Sequence, residues 1–302
     1  MQTTGYGRID LIINPVAGKG QPILHTISSV LNELDVMWYV HVTQEGRSAE
    51  RLTHAAVEAG TELIAAYGGD GTLHQVAGAL AGTDIPMCIL PGGTANALAE
   101  EVDIPGELAD ALRFALSPEA KTKRIDVGTA NDRSFLLHLS SFSNATTVDP
   151  EQKARYGWFA YLINAYRLMM NAQPVHFHLT LDSAHVEIDG LGVLVANNNA
   201  IGILGLSLAP DVRIDDGMFD VFVIDHAWEV IFSTMRSVGS ATTLTQIRNH
   251  WQARAIVIEA EPQQYLFADG EPSPLLQTPA TITVQQKSLR LIIPGEQQIF
   301  RE

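Results

Sequence analysis

Three times in the first hundred residues an apolar strand pattern runs straight into a glycine-bearing turn. Leu63-Ile64-Ala65-Ala66 leads into Tyr67-Gly68-Gly69-Asp70-Gly71-Thr72, and Pro86-Met87-Cys88-Ile89-Leu90 into Pro91-Gly92-Gly93-Thr94-Ala95-Asn96-Ala97-Leu98. Earlier, Ile9-Asp10-Leu11-Ile12-Ile13 leads into Asn14-Pro15-Val16-Ala17-Gly18-Lys19-Gly20. Glycine lets a backbone adopt positive φ and approach a ligand closely, and the amides opening the next helix point at an anion held in the turn. A tight strand-to-helix turn accounts for one or two glycines, but not for Gly-Gly-Asp-Gly-Thr at the end of a buried strand. The turns therefore read as phosphate loops, with Asp70 supplying a carboxylate for a divalent cation or for hydrogen bonds within the loop. In an open parallel sheet, loops at the carboxyl ends of consecutive strands converge on one crevice. The Walker A spacing is missing from the Asn14–Gly20 turn.

The alternation continues around these turns. Strand patterns at residues 9–13, 36–43, 63–66 and 87–90 alternate with helical patterns near 23–34, 49–59, 73–81 and 95–101, and another helix at 108–116 closes the series. Repeated βα units with short connections imply a parallel sheet covered on both faces. After Lys121-Thr122-Lys123-Arg124 the pattern changes to closely spaced strands, at 125–129, 135–141, 175–181, 191–196, 219–224, 255–259 and 289–293. These predict an antiparallel sandwich, interrupted by a helical segment at Trp158–Met170. The division expected is 1–124 for the α/β domain and 125–302 for the sandwich, with the final strand packing back on the first domain. A chain of 302 residues with 46% hydrophobic content has enough apolar material for two cores.

Charge and cysteine content exclude other classes. A net charge of −15, from 19 Lys+Arg against 34 Asp+Glu, argues against nucleic acid as a partner, since phosphate binding needs basic surface. The single cysteine, Cys88, rules out an intramolecular disulfide and sits in an apolar pattern where an inert core thiol is expected. No apolar run approaches membrane-spanning length, and the amino terminus lacks a basic segment followed by an apolar signal core. The expected location is the cytoplasm. An acidic protein meets an anionic bilayer only briefly and in one orientation.

Asn14-Pro15…Gly18-Lys19-Gly20, Gly68-Gly69-Asp70-Gly71-Thr72 and Leu90-Pro91-Gly92-Gly93-Thr94-Ala95-Asn96 resemble the three ordered motifs of the diacylglycerol kinase catalytic domain. That family includes bacterial diacylglycerol kinases and sphingosine kinases. Far along the chain, Phe267-Ala268-Asp269-Gly270-Glu271-Pro272 resembles its Asp-Gly-Glu segment, so the likeness spans nearly the whole sequence. The resemblance implies an NAD kinase-like α/β domain followed by a β-sandwich, with the active site in the interdomain cleft. It also implies ATP as phosphoryl donor, Mg²⁺, and a lipid acceptor reached at the membrane surface. Asn14, Gly68, Gly69, Asp70, Gly71, Thr72, Thr94 and Asn96 would then contact nucleotide, joined by Thr43 at the end of the second strand. Thr43 also reads as an ordinary polar residue closing a strand.

Phosphoryl transfer needs phosphate positioning, charge neutralisation and a group that orients the attacking hydroxyl. Glu271 matches the family's catalytic glutamate and is the candidate base, with Asp70 beside the phosphates; by spacing alone Asp-Gly is a common hairpin signal with a surface glutamate after it. The stretch Asp211-Val212-Arg213-Ile214-Asp215-Asp216-Gly217-Met218-Phe219-Asp220 offers four aspartates around one turn, hard oxygen ligands without the EF-hand spacing. It resembles the family's Asp-Gly turn, in which Asp216 with the backbone at Arg213 and Met218 would hold a structural magnesium; Asp126 resembles the aspartate linked to it through water. By composition alone a solvated acidic turn fits nearly as well.

Ten histidines form no His-x-x-x-His pair enclosing a glutamate, so a zinc hydrolase has no support. His176 and His178 alternate with Phe177 as one solvated strand face would. Aromatic residues from Tyr156 to Tyr166 suit either a lipid-contacting stripe or core. Where the family carries a Gly-rich Asp-Ala segment this chain has Ser141-Phe142-Ser143-Asn144-Ala145-Thr146, and Ala97 replaces a frequent aspartate after the Gly-Thr-x-Asn motif. Acceptor lipid, nucleotide donor and oligomeric state, a homodimer included, stay open. Two other functions share part of the pattern. An NAD kinase-type enzyme leaves the Leu90–Asn96 motif and the late Asp-Gly-Glu turn unexplained, and a non-catalytic nucleotide-binding module has no use for Glu271.

Overall fold

Strands that are apolar at every position become central strands of a sheet covered on both faces, and strands with every second position apolar become half-solvated ones. Both kinds are present. The computed structural model describes residues 5–18, 22–34, 36–44, 48–93, 96–142, 173–198, 200–201, 206–207, 212–225, 249–269 and 271–294. The chain divides into two compact units, residues 1–127 with 286–302, and residues 128–285.

The first unit runs β1 (Arg8–Ile13), α1 (Ile23–Leu31), β2 (Met37–Val42), α2 (Ser48–Glu58), β3 (Leu63–Gly68), α3 (Asp70–Leu80), β4 (Met87–Pro91), α4 (Ala97–Glu101) and α5 (Leu108–Ala115). The strands pair in parallel in the order β2-β1-β3-β4. Every residue of β3 and β4 is buried, whereas the edge strand β2 exposes Met37, Tyr39 and Val42. In α5, Leu108, Ala111, Leu112 and Ala115 are buried, the spacing of one apolar helix face. Cys88 lies within β4, and burial pushes its thiol up to about 12, which keeps it protonated and inert. β5 (Ala120–Ala130) leaves this unit, and the last part of β18 (Ala280–Pro294) enters it, pairing in parallel with β4 at Leu291 and Met87.

The second unit contains β6 (Arg133–Phe135), β7 (His138–Phe142), β8 (Val175–Leu181), β9 (Ala184–Gly190), β10 (Gly192–Ala196), β11 (Ala200–Ile201), β12 (Leu206–Ser207), β13 (Phe219–Ile224), β14 (Asn249–Ala253), β15 (Ala255–Glu261), β16 (Tyr265–Ala268) and β17 (Glu271–Gln277). One antiparallel sheet runs β14-β13-β10-β7-β16-β17, and β18-β15-β8-β9 run antiparallel in the other. Leu139, Val193, Val195, Phe219 and Val221 from the first meet Phe177, Leu179, Ile256, Ile258 and Ile282 from the second in one core. Phe135 stacks on Phe219 with ring centroids 5.4 Å apart. This is an α/β chain with a parallel-sheet unit and a separate antiparallel unit. The sequence reads 135–141 as one strand; the structure has two, separated at residues 136 and 137, whose amides donate to the Asp269 carboxylate instead of to a neighbouring strand. The expected helix at Trp158–Met170 and the loop from Ser143 lie outside the described residues.

Candidate active site

The parallel register of β1, β3 and β4 carries all three glycine turns to one edge of the sheet. There they are joined backbone to backbone. Asn14 N–H donates to the Tyr67 carbonyl at 2.9 Å, Gly92 N–H to the Gly68 carbonyl at 3.0 Å, and Gly18 N–H to the Gly92 carbonyl at 2.7 Å. A Cβ on Gly93 would sit 2.6 Å from the Gly69 Cα, so the second and third loops touch where only glycine fits. Gly18 has φ +84°, in the region that favours glycine.

Side chains complete the joints. Asn14 Nδ2 donates to Thr72 Oγ1 at 3.1 Å, tying the first loop to the opening of α3. Thr43 is buried next to Asn14's strand, its N–H donating to the Ile13 carbonyl at 2.9 Å. Asn96 holds a left-handed conformation at φ +51°, accepts from Gly93 N–H at 2.8 Å and donates to the Gly93 carbonyl at 3.1 Å. Asp70 opens α3 and accepts from Leu98 N–H at 3.4 Å, linking the start of α3 to α4. Gly71 follows in the first turn of α3, whose amino end favours anions. The structure thus brings together Asn14, Thr43, Gly68, Gly69, Asp70, Gly71, Thr72 and Asn96. Thr94 lies outside the described residues.

Sequence reasoning missed Tyr67. Its ring fills the space beneath two loops, since a Cβ on Gly18 would meet its hydroxyl and one on Gly92 its ring. Burial pushes its phenol above the ordinary tyrosine range. An aromatic ring ending an otherwise small aliphatic strand is the signal that was available.

In the second unit, Glu271 begins β17 and pairs with Ala268 across the turn. Asp269, at φ +50°, accepts from the amides of Leu136, Leu137 and His138 at 2.8–3.0 Å. The acidic turn is organised by Asp216, whose Oδ1 accepts from Met218 N–H at 2.9 Å around Gly217 at φ +77°. Arg213 Nε lies 3.4 Å from Asp215 Oδ1, and Met218 Sδ accepts from Arg254 Nε at 3.4 Å. Nearby Asp220 is buried, paired with His250 Nε2 at 2.5 Å; burial pushes its carboxyl up, and the charge of Asp216 adds to this. Asp126 is fully buried in the first unit and accepts from Lys287 N–H at 2.6 Å.

Two family models match, the diacylglycerol kinase catalytic domain over residues 8–130 and the YegS C-terminal NAD kinase beta sandwich-like domain over residues 143–293. A Klebsiella pneumoniae protein named "Probable lipid kinase YegS-like" is 30% identical over 272 residues, covering 87% of this chain and 88% of its own. The chain belongs to the diacylglycerol kinase family. A Citrobacter koseri relative of the same name is 29% identical over 301 residues, 96% of this chain and 97% of its own. The crystal structure of a diacylglycerol kinase from Bacillus anthracis str. Sterne is similar with a TM-score of 0.77 at 26% identity, covering 97% of this chain and 99% of that one. The glycine joints described above all fall within the catalytic-domain match, and the Asp-Gly-Glu turn within the sandwich-like match. Among the described residues no helix of this lipid kinase-family chain is long and apolar enough to cross a membrane.

Proposed function

We propose that the chain is an ATP-dependent lipid kinase that transfers the γ-phosphoryl group to the hydroxyl of diacylglycerol or a related lipid. One observation carries the reading. Gly68, Gly69, Gly92 and Gly93 meet with no room for a Cβ at Gly68, Gly92 or Gly93, leaving bare backbone beside the opening of α3. That surface suits the phosphates of a nucleotide, because amides replace water around the charge at close range.

The groups divide the work as phosphoryl transfer requires. Loop amides and Thr72 hold the phosphates, Asn14 and Asn96 keep their loops in place, and Thr43 lines the neighbouring strand end. Asp70 organises charge at the phosphates. Glu271, by its place in the Asp-Gly-Glu-Pro turn, accepts or orients the acceptor's hydroxyl proton. The acidic turn fits Mg²⁺, since Asp216 and the carbonyls of Arg213 and Met218 are hard oxygen donors and the Asp216 charge adds to the burial that pushes the Asp220 carboxyl up. Mg²⁺ at that turn supplies a cross-link between carboxylate and backbone, as a second ion travelling with ATP supplies charge neutralisation.

The test is radiolabelled ATP offered with a lipid panel and with NAD, the products being partitioned between organic and aqueous phases. Label should enter the organic phase. Asp70→Asn should lower turnover by ~100-fold or more, and Glu271→Gln by ~100- to 10,000-fold with ATP-analogue affinity retained. Label confined to phosphorylated NAD overturns the lipid acceptor, and no transfer to any acceptor reduces the protein to a binding module. Near-normal turnover of Glu271→Gln removes that residue from catalysis.

A further inference from the structure

His176 and His178 stand two residues apart on β8, where Val175, Phe177, Leu179 and Leu181 are buried and positions 176, 178 and 180 face the other way. The two-residue period of a strand sets both imidazoles on one face, and their ring centroids are 4.6 Å apart, edge to face. Antiparallel pairing supplies carboxylates on both sides. Asp189 and Glu187 of β9 lie opposite His176 and His178, and Glu261 and Glu259 of β15 occupy the matching positions on the other flank. Directly opposed residues share a face, so two imidazoles are enclosed by four carboxylates.

A solvated charged face accounts for the carboxylates, but not for the convergence of donor atoms. One ligand atom from each of His176, His178 and Glu187 lies within 4.8 Å of the other two, and His178 Nδ1 is 3.6 Å from Glu187 Oε1. A tetrahedral site with metal–nitrogen bonds of about 2.0 Å needs donors about 3.3 Å apart. The widest pair has at most about 1.5 Å to close, a distance that side-chain rotations in partly or fully exposed groups can span. Asp189 Oδ1 meets His176 Nδ1 at 2.7 Å. A carboxylate that accepts from one ring nitrogen fixes the tautomer and leaves the other nitrogen's lone pair for a metal.

We propose that His176, His178 and Glu187 form a binding site for a borderline divalent transition metal of the zinc type, with Asp189 orienting His176. Two imidazoles select zinc, nickel or copper over magnesium and calcium, which prefer all-oxygen shells. Three protein ligands leave a fourth position to water. The site bridges β8 to β9, and among the described residues β9 ends the strand order with β8 as its one ladder partner. Metal binding therefore ties down an edge strand, and its readout is stability as well as occupancy. None of these residues belongs to the acidic turn or the glycine loops.

The experiment uses the full chain, tag-free and metal-stripped, titrated calorimetrically with zinc chloride and melted with and without it. Wild type should take one zinc per chain and melt higher when loaded. His178→Gln and Glu187→Gln should each weaken zinc binding by at least ~10-fold and lose the melting shift, while circular dichroism shows the sheets intact. Millimolar magnesium should not displace the zinc. The assignment is overturned by wild type that takes no zinc, by variants that bind as wild type does, or by magnesium competing at the same site.

Discussion

At Gly93 a single absent methyl group joins two loops. A Cβ there would lie 2.6 Å from the Gly69 Cα and 2.9 Å from Asn96 Oδ1, and backbone cannot swing aside as a flexible side chain would. Gly93→Ala should therefore cost about 1–3 kcal/mol and abolish ATP-analogue binding, measured by thermal melting and titration. Gly106, which has nothing within 4 Å of its Cβ position, is the control: its alanine variant should stay within about 0.5 kcal/mol of wild type. Asp269 does comparable work in the second unit by accepting from three successive amides while holding a left-handed backbone. Asp269→Ala strands those amides and should destabilise by about 2–4 kcal/mol. Asp269→Asn, which tolerates the backbone and keeps one acceptor, should lose less. Equal melting of both variants would remove the carboxylate from this structural role.

Among the elements, β1 carries a charge where an apolar strand carries none. Asp10 is fully buried, held by Arg8 Nε at 2.8 Å and His41 Nε2 at 2.7 Å, while Arg8 also stacks over Tyr39 of the edge strand β2. Burial pushes the Asp10 carboxyl up, but hydrogen bonds from Arg8, His41 and Thr61 outweigh it and leave the group below its ordinary value. A carboxyl lowered on folding stabilises above its unfolded pKa of about 3.9 and loses that contribution as pH falls through the folded value. Asp10→Asn should cost about 2 kcal/mol at neutral pH, since Arg8 then lacks its counter-charge. The gap between the two melting curves should close as pH is taken below about 4. A gap independent of pH down to 2 would show that shape, and not charge, holds the strand pair.

At the scale of the whole molecule, the end of β18 completes a sheet begun at residue 8. Leu289, Leu291 and Ile292 are buried to 1% exposure or less, in the unit that includes residues 1–127. Full burial of such side chains contributes about 2 kcal/mol each, a large share of the stability a domain has to spare. A fragment ending at Val127 should therefore fail to fold cooperatively, and should regain a melting transition when a peptide spanning 286–294 is added. Cooperative melting of the fragment alone would make that strand dispensable.

Local chemistry determined much of this protein within the sequence itself. The alternation of strand and helix, the glycine turns after β1, β3 and β4 and the half-buried face of β8 were all legible, because each depends on neighbours within a few positions and on the steric allowance of glycine. The role expected of Glu271 came from resemblance alone, since Asp-Gly followed by glutamate carries no local mark of catalysis, whereas the acidic turn was suggested by its four aspartates and only its particular ligands by resemblance. Tertiary structure decided what joins distant residues. That Asp269 holds the break between β6 and β7 at residues 136 and 137, that Tyr67 props Gly18 and Gly92, and that His176 and His178 gain carboxylates from both flanks are set by the tertiary fold. Register pairs residues up to more than a hundred positions apart, as with Ala268 and Leu139, and hydrophobic periodicity along the chain holds no record of which strand will lie beside which.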